Sequence, residues 1–159
     1  MKAAVVTVSD RVSQGVADDL SGPAVVAKLA ECGFPDADLR VVPDGVESVE
    51  MILRNLMTEY DLVVTTGGTG FSPRDLTPEA TKLVVDRAAP GLAEAIRADT
   101  FGRFPHGMLS RGIAGIAGAT LIVNLPGSVK AVEESMDVIG PALRHGVELL
   151  ISGQSDHNM

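Results

Sequence analysis

Short apolar, β-branched runs alternate along this chain with longer stretches whose apolar residues recur every three to four positions. The short runs predict buried strands at Lys2–Ser9, Asp38–Pro43, Asp61–Thr66 and Ala119–Leu125. The periodic stretches predict helices. One opens at Ser21-Gly22-Pro23, with Ser21 as N-cap and Pro23 in the first turn, and carries Val25, Val26, Leu29 and Ala30 to a stop at Gly33. A second is capped by Ser48 and places Met51, Ile52, Asn55 and Leu56 on one face. A third begins at Thr77-Pro78-Glu79, where a cap, a proline and an acid stand in order, and runs to about Ala88. A fourth starts at Pro90 and includes Leu92, Ala95 and Ile96. A long one spans Val129 to about Ile151. Val12–Leu20 and Asp99–Pro105 read as irregular, and Leu109–Ile116 as a short edge strand.

Strands that alternate with helices of this length predict an α/β fold with three layers: a mostly parallel central sheet with helices on both faces. The expected organisation is one domain over residues 1–152 and a polar C-terminal tail over 153–159, which is predicted to fray. At 159 residues the chain can bury a full core without staples. Its single cysteine, Cys32, excludes an internal disulfide and reads as a small packing residue.

The net charge is −8, there is no basic run, and aromatic residues make up 3% of the chain, which argues against nucleic acid as the main partner. It leaves room for a phosphorylated ligand, because backbone N–H groups bind anions in acidic proteins too. The opening MKAAVVTVS runs straight into Asp10 and Arg11 and reads as a first strand rather than a signal peptide. No apolar run approaches the roughly 20 residues that span a bilayer. A cytoplasmic, membrane-free protein is expected.

Right-handed crossovers put every strand-to-helix loop on one edge of the sheet, where open α/β sheets bind ligands. Four loops should meet there: Ser9-Asp10-Arg11, Pro43-Asp44-Gly45, Thr66–Asp75 and Leu125–Ser128. In the third, Gly67, Gly68 and Gly70 permit positive φ and close approach of an oxygen, and Thr65, Thr66 and Thr69 add hydroxyls. Glycines alone would serve a tight turn equally well; the threonines and Asp75 favour a phosphate site. It is neither a Walker loop nor a dinucleotide fingerprint, since the Lys-Ser/Thr pair is missing and the glycine spacing differs. Asp44 and Asp75 would each, alone, be a solvated loop carboxylate or a helix cap. Beside a phosphate loop the pair implies a cation, and Mg²⁺ held by one or two carboxylates plus substrate phosphates is the usual form. Arg74 and Arg111 suit either forked phosphate contacts or surface ion pairs. Ser110 and Ser128 are candidate hydroxyl contacts, and Ser128 suits a helix cap as well. His106 reads as an exposed loop histidine without a partner.

The segment Val63–Thr81, VVTTGGTGFSPRDLTPEAT, resembles the signature of molybdenum-cofactor biosynthesis proteins of the Mog/MoaB type, shared by the G domain of gephyrin. Val5–Ser9 with Asp10-Arg11, Asp19–Pro23, Val42-Pro43-Asp44, Pro90-Gly91-Leu92, Met108–Arg111 and Leu121–Ser128 agree, so the resemblance runs from about Lys2 to Leu150. It implies a MogA/MoaB-like fold and a molybdopterin adenylyltransferase that joins the terminal phosphate of molybdopterin to the AMP part of ATP. Mg²⁺ would assist and pyrophosphate would leave. It implies a homotrimer and transfer of the product to a molybdate-inserting enzyme. The family's essential aspartates fall on Asp44 and Asp75, its glycine-threonine loop on Gly67, Gly68, Thr69 and Gly70, its pterin-side segment on Leu109, Ser110 and Arg111, and its Pro-Gly element on Pro126 and Gly127. Ser9, Asp10, Thr66 and Ser128 complete the expected substrate site, with Asp44 and Asp75 as metal carboxylates. Ser128 departs from the Asn or Gln of many members. The alternative that the resemblance leaves open is a non-catalytic, molybdopterin-binding MoaB-type protein or scaffold.

Overall fold

Strands β1 (Ala3–Val8), β3 (Leu62–Thr66) and β6 (Thr120–Leu125) are buried at every position. That is what parallel strands covered on both faces require, and it explains why they read as unbroken apolar runs. The computed structural model describes residues 1–153, so all but the first residue of the expected tail lies outside the described residues. With β2 (Asp38–Val42), β5 (Ala114–Ala117) and β4 (Arg87–Ala88), the strands form one sheet in the order β2-β1-β3-β6-β5-β4. β2, β1, β3 and β6 are parallel; β5 and β4 are antiparallel to their neighbours.

Alternate residues of each central strand feed two cores. Ala3 and Val5 of β1, with Leu62 and Val64 of β3, pack under α2 (Ser21–Glu31), α5 (Pro90–Thr100) and α6 (Val129–Ser152). Ala4, Val6 and Val63 pack under α3 (Val46–Leu56) and α4 (Thr77–Val84). The three-layer, mostly parallel architecture expected from the alternation of elements is therefore the one observed.

Several local details differ. The buried stripe of α3 is Val49, Leu53 and Leu56, at i, i+4 and i+7, while Met51 is 58% exposed. Ser48 does not cap that helix, which starts earlier; its hydroxyl donates to the Pro43 carbonyl at 2.7 Å. Ser21 lies inside α2, and Asp19 does the capping by accepting from the Gly22 N–H at 2.9 Å. Thr77 likewise caps nothing, because its hydroxyl donates to Gly67 O. α4 ends at Val84, short of Ala88, because Arg87 and Ala88 leave it to pair with β5 as an edge strand. The strand expected at Leu109–Ile116 begins later and is interior, since β5 folds back on β6 and is covered by β4. A short helix α1 (Asp10–Ser13), capped by Ser9 Oγ accepting from Val12 N–H, occupies part of the expected loop.

Candidate active site

The four parallel strands bring Ser9-Asp10, Asp44, Gly67–Asp75 and Pro126–Ser128 to one edge, as the topology demands. Two aspartates there are laced together through the backbone. Asp10 N–H donates to Asp44 Oδ2 at 2.8 Å, and Asp44 N–H donates to Asp10 Oδ1 at 3.1 Å. Arg74 closes the arrangement with a forked pair, its Nε on Asp10 Oδ2 at 2.8 Å and its Nη2 on Asp10 Oδ1 at 2.9 Å. The same Nη2 reaches Asp44 O at 2.7 Å. Of the two uses the sequence allowed for Arg74, the structure displays the ion pair.

The two carboxyls respond in opposite directions. The Arg74 hydrogen bond holds Asp10 below the ordinary carboxylate range. Asp44 is pushed above it, first by burial and then, against the relief of the Asp10 N–H, by the charges of Asp10 and Asp75. A raised folded-state pKa means that the stability tied to Asp44 is full below its unfolded pKa and is lost as pH rises through the folded one. Asp44→Asn is therefore expected to raise the melting temperature at pH 7. That gain should vanish on acidification below the ordinary aspartate range of roughly 3.9. Thermal melts across pH check this, and an Asn variant that melts lower than the parent at pH 7 contradicts it.

The glycine loop is fixed from three directions. Gly67 N–H donates to Leu125 O at 3.1 Å, Thr66 Oγ1 donates to Pro126 O at 2.7 Å, and Thr77 Oγ1 donates to Gly67 O at 3.0 Å. A β-carbon on Gly68 would lie 3.3 Å from Asp44 Oδ1, and one on Gly70 would lie 2.9 Å from Asp75 Oδ2. Both carboxylates thus stand against the glycine turn. Asp75 Oδ2 accepts from the Ser72 N–H at 3.0 Å. Arg111 N–H donates to Thr69 O, and the Arg111 side chain holds Gly70 O at 2.9 Å, Asp75 O and Glu79. Glu79 is lowered mainly by that Arg111 contact. The Arg111 guanidinium therefore braces the loop.

Beside the loop lies a cavity of about 540 Å³. Of the expected site residues, Gly67, Gly68, Thr69, Gly70, Asp75, Ser110, Pro126, Gly127 and Ser128 line it. Ser9, Asp10, Asp44, Thr66 and Arg111 do not; their side chains are engaged in the contacts just described. Ser128 also caps α6, accepting from Ala131 N–H at 3.3 Å. The opposite wall comes from α5, from the 3₁₀ turn Pro105–Leu109, and from α6, and sequence reasoning named almost none of it. His106 is exposed as expected, yet it stands in this wall with its ring centre 5.2 Å from that of Phe104. Spacing on α6 was the missed signal: Ala131, Glu134 and Ser135 share one helical face.

A divalent cation fits the donor set. Asp44 Oδ1 accepts no hydrogen bond among the described residues, Asp75 stands across the same turn, and the Arg74 guanidinium is paired with the Asp10 carboxylate rather than with either of them. Among the described residues no group of three or more His, Cys, Asp or Glu side chains could hold a metal. Two carboxylates completed by substrate oxygens is how Mg²⁺ is commonly held.

A family profile described as "Probable molybdopterin binding domain" matches residues 4–145. The chain belongs to this molybdopterin-binding family. Gephyrin of Dictyostelium discoideum is 45% identical over 93% of the chain, which spans only 22% of that longer protein. Molybdopterin adenylyltransferase of Helicobacter pylori is 40% identical over 97% of the chain and 90% of its own length. The solved molybdopterin biosynthesis Mog protein of Mycobacterium ulcerans superposes with a TM-score of 0.87 at 41% identity, covering 94% of this chain and 98% of that one. In this molybdopterin-binding chain the family match spans all four ligand-edge loops and both walls of the cavity.

Proposed function

We propose that this chain is a molybdopterin adenylyltransferase of molybdenum-cofactor biosynthesis, using Mg-ATP and releasing pyrophosphate. The observation that carries the reading is the pair Asp44 and Asp75, set against the glycine turn that borders the cavity. Anion-binding amides and a cation-seeking carboxylate pair suit the joining of two polyanions. The names of relatives that match over most of their length support it.

A phosphate oxygen of molybdopterin attacks the α-phosphorus of ATP. A new P–O bond forms, the bond from the α-phosphorus to the α–β bridging oxygen breaks, and its electron pair leaves with pyrophosphate. The backbone amides of Gly68, Thr69 and Gly70 hold the anionic groups in line and face the charge that grows on the equatorial oxygens. Asp44 and Asp75 would hold Mg²⁺, which supplies charge neutralisation between the two phosphates. Asp10 and Arg74 fix the Asp44 backbone and keep its Oδ1 facing the turn.

The direct test incubates the chain with molybdopterin and Mg-ATP. Pyrophosphate and adenylylated pterin in equal amounts are expected. Tight pterin binding with no ATP consumption would overturn the catalytic reading in favour of a pterin-holding scaffold. The same reading extends to cytoplasmic location, to transfer of the product to a molybdate-inserting enzyme, and to a homotrimer. A trimer predicts a solution mass three times the 16.5 kDa of the chain by light scattering, and a monomer would refute it.

A further inference from the structure

The α5–α6 wall of the cavity carries a buried hydroxyl that no contact explains. Ser135 is 5% exposed and lines the cavity one turn after Ala131. Thr81 and Thr100, by contrast, bond back to their own helices, at 2.8 Å to Thr77 O and 2.8 Å to Arg97 O. Ser135 Oγ has no hydrogen-bond partner among the described residues. Among the described residues no fully shielded side-chain nitrogen or oxygen lacks a partner, so the Ser135 hydroxyl keeps some surface open to the cavity. A hydroxyl so placed is free to bond to whatever enters the cavity. Beside it Glu134 lines the same wall, 3.9 Å from Lys130 Nζ, and Ile96 and Ala131 give the flanks an apolar character.

The cavity is therefore graded. Backbone N–H groups of the glycine turn and the N-terminal end of α6, at Ser128, favour anions at one end. A carboxylate and an unsatisfied hydroxyl occupy the α6 wall. Glu134 repels phosphate and thiolate there but accepts from N–H donors. The pyrimidine edge of a pterin offers an amino group and a ring N–H side by side, which match the two oxygens of a carboxylate, and a ring carbonyl that accepts from a hydroxyl. Adenine offers an amino group beside an acceptor nitrogen, so a carboxylate meets one donor there rather than two.

We propose that Ser135 Oγ and the Glu134 carboxylate read the pyrimidine edge of the pterin and so select the substrate; this rests on the molybdopterin reading above. Because Ser135 Oγ bonds to nothing in the free protein, Ser135→Ala separates ligand binding from folding. Titration with molybdopterin, and separately with ATP, is combined with thermal melts. For Ser135→Ala the molybdopterin Kd is expected to rise about three- to tenfold, with the ATP Kd and the melting temperature unchanged. Glu134→Gln turns one acceptor into a donor facing donors, and a rise of about tenfold or more is expected. Molybdopterin affinities within twofold of the parent for both variants overturn the proposal. So does a loss that falls on ATP instead, or one that tracks a lowered melting temperature. If the parent chain itself binds no molybdopterin, the functional reading fails and this one with it; if only the variants are silent, the functional reading stands.

Discussion

Asp75→Asn is expected to leave the fold and most pterin affinity intact while cutting turnover by about a hundred- to a thousandfold, the loss typical when one preorganised electrostatic contact to a transferring group is removed. The fold should survive because Asp75 carries little structural weight through its charge. Its Oδ2 accepts one backbone N–H, from Ser72, and an amide oxygen can do the same. Its own N–H donates to Ser72 O and its carbonyl is held by Arg111, and neither depends on the side chain. What the substitution removes is a negative charge at the lip of the glycine turn, where the cation that joins the two phosphates is proposed to sit. The measurement pairs a thermal melt with pyrophosphate release at saturating Mg-ATP. An Asn variant that keeps near-full rate would remove Asp75 from metal placement and leave Asp44 to act alone.

Gly67→Ala is expected to damage the protein in the opposite way, through stability before chemistry. Gly67 has φ 99, and a β-carbon there would stand 2.4 Å from Val8 O, a backbone atom of β1 that cannot step aside. Backbone strain of about 1–3 kcal/mol and overpacking of about 1–3 kcal/mol together predict a loss of about 2–6 kcal/mol. That is a large share of the roughly 5–15 kcal/mol that holds a domain folded. Gly118 provides the control, since it has φ 59 with nothing within 4 Å, so Gly118→Ala carries the conformational part alone. Urea midpoints for both variants decide the matter. A Gly67→Ala protein no less stable than the Gly118→Ala protein would show that β1 can retreat from the turn.

The parallel half of the molecule was legible because its physics is local. Strands covered on both faces must be apolar at every position, and β1, β3 and β6 announce themselves that way. Parallel pairing then dictates that the segments after them share an edge, so Asp10, Asp44, Gly67–Asp75 and Pro126–Ser128 could be grouped without coordinates. Caps were less legible, because serines and threonines beside a helix have several carbonyls within reach. Ser48 and Thr77 chose loop carbonyls over helix amides. Ser110 and Arg111 were named for their side chains, but their route to the site is not one that strand-to-helix loops predict. β5 runs against β6, so it delivers its beginning, not its end, to the ligand edge. Ser110 and Arg111 therefore reach the site ahead of a strand, while the α5 and α6 wall offered only helix periodicity and went unnamed. Ser135 was hidden by its neighbours, since an isolated serine on an amphipathic helix gives no signal until burial without a partner is seen.

The links from Thr66 to Pro126 and from Gly67 to Leu125 join residues about sixty positions apart. The glycine turn cannot take its final shape until β6 has been synthesised and has docked on β3. On a growing nascent chain, the turn thus waits for its final shape until most of the polypeptide has been made.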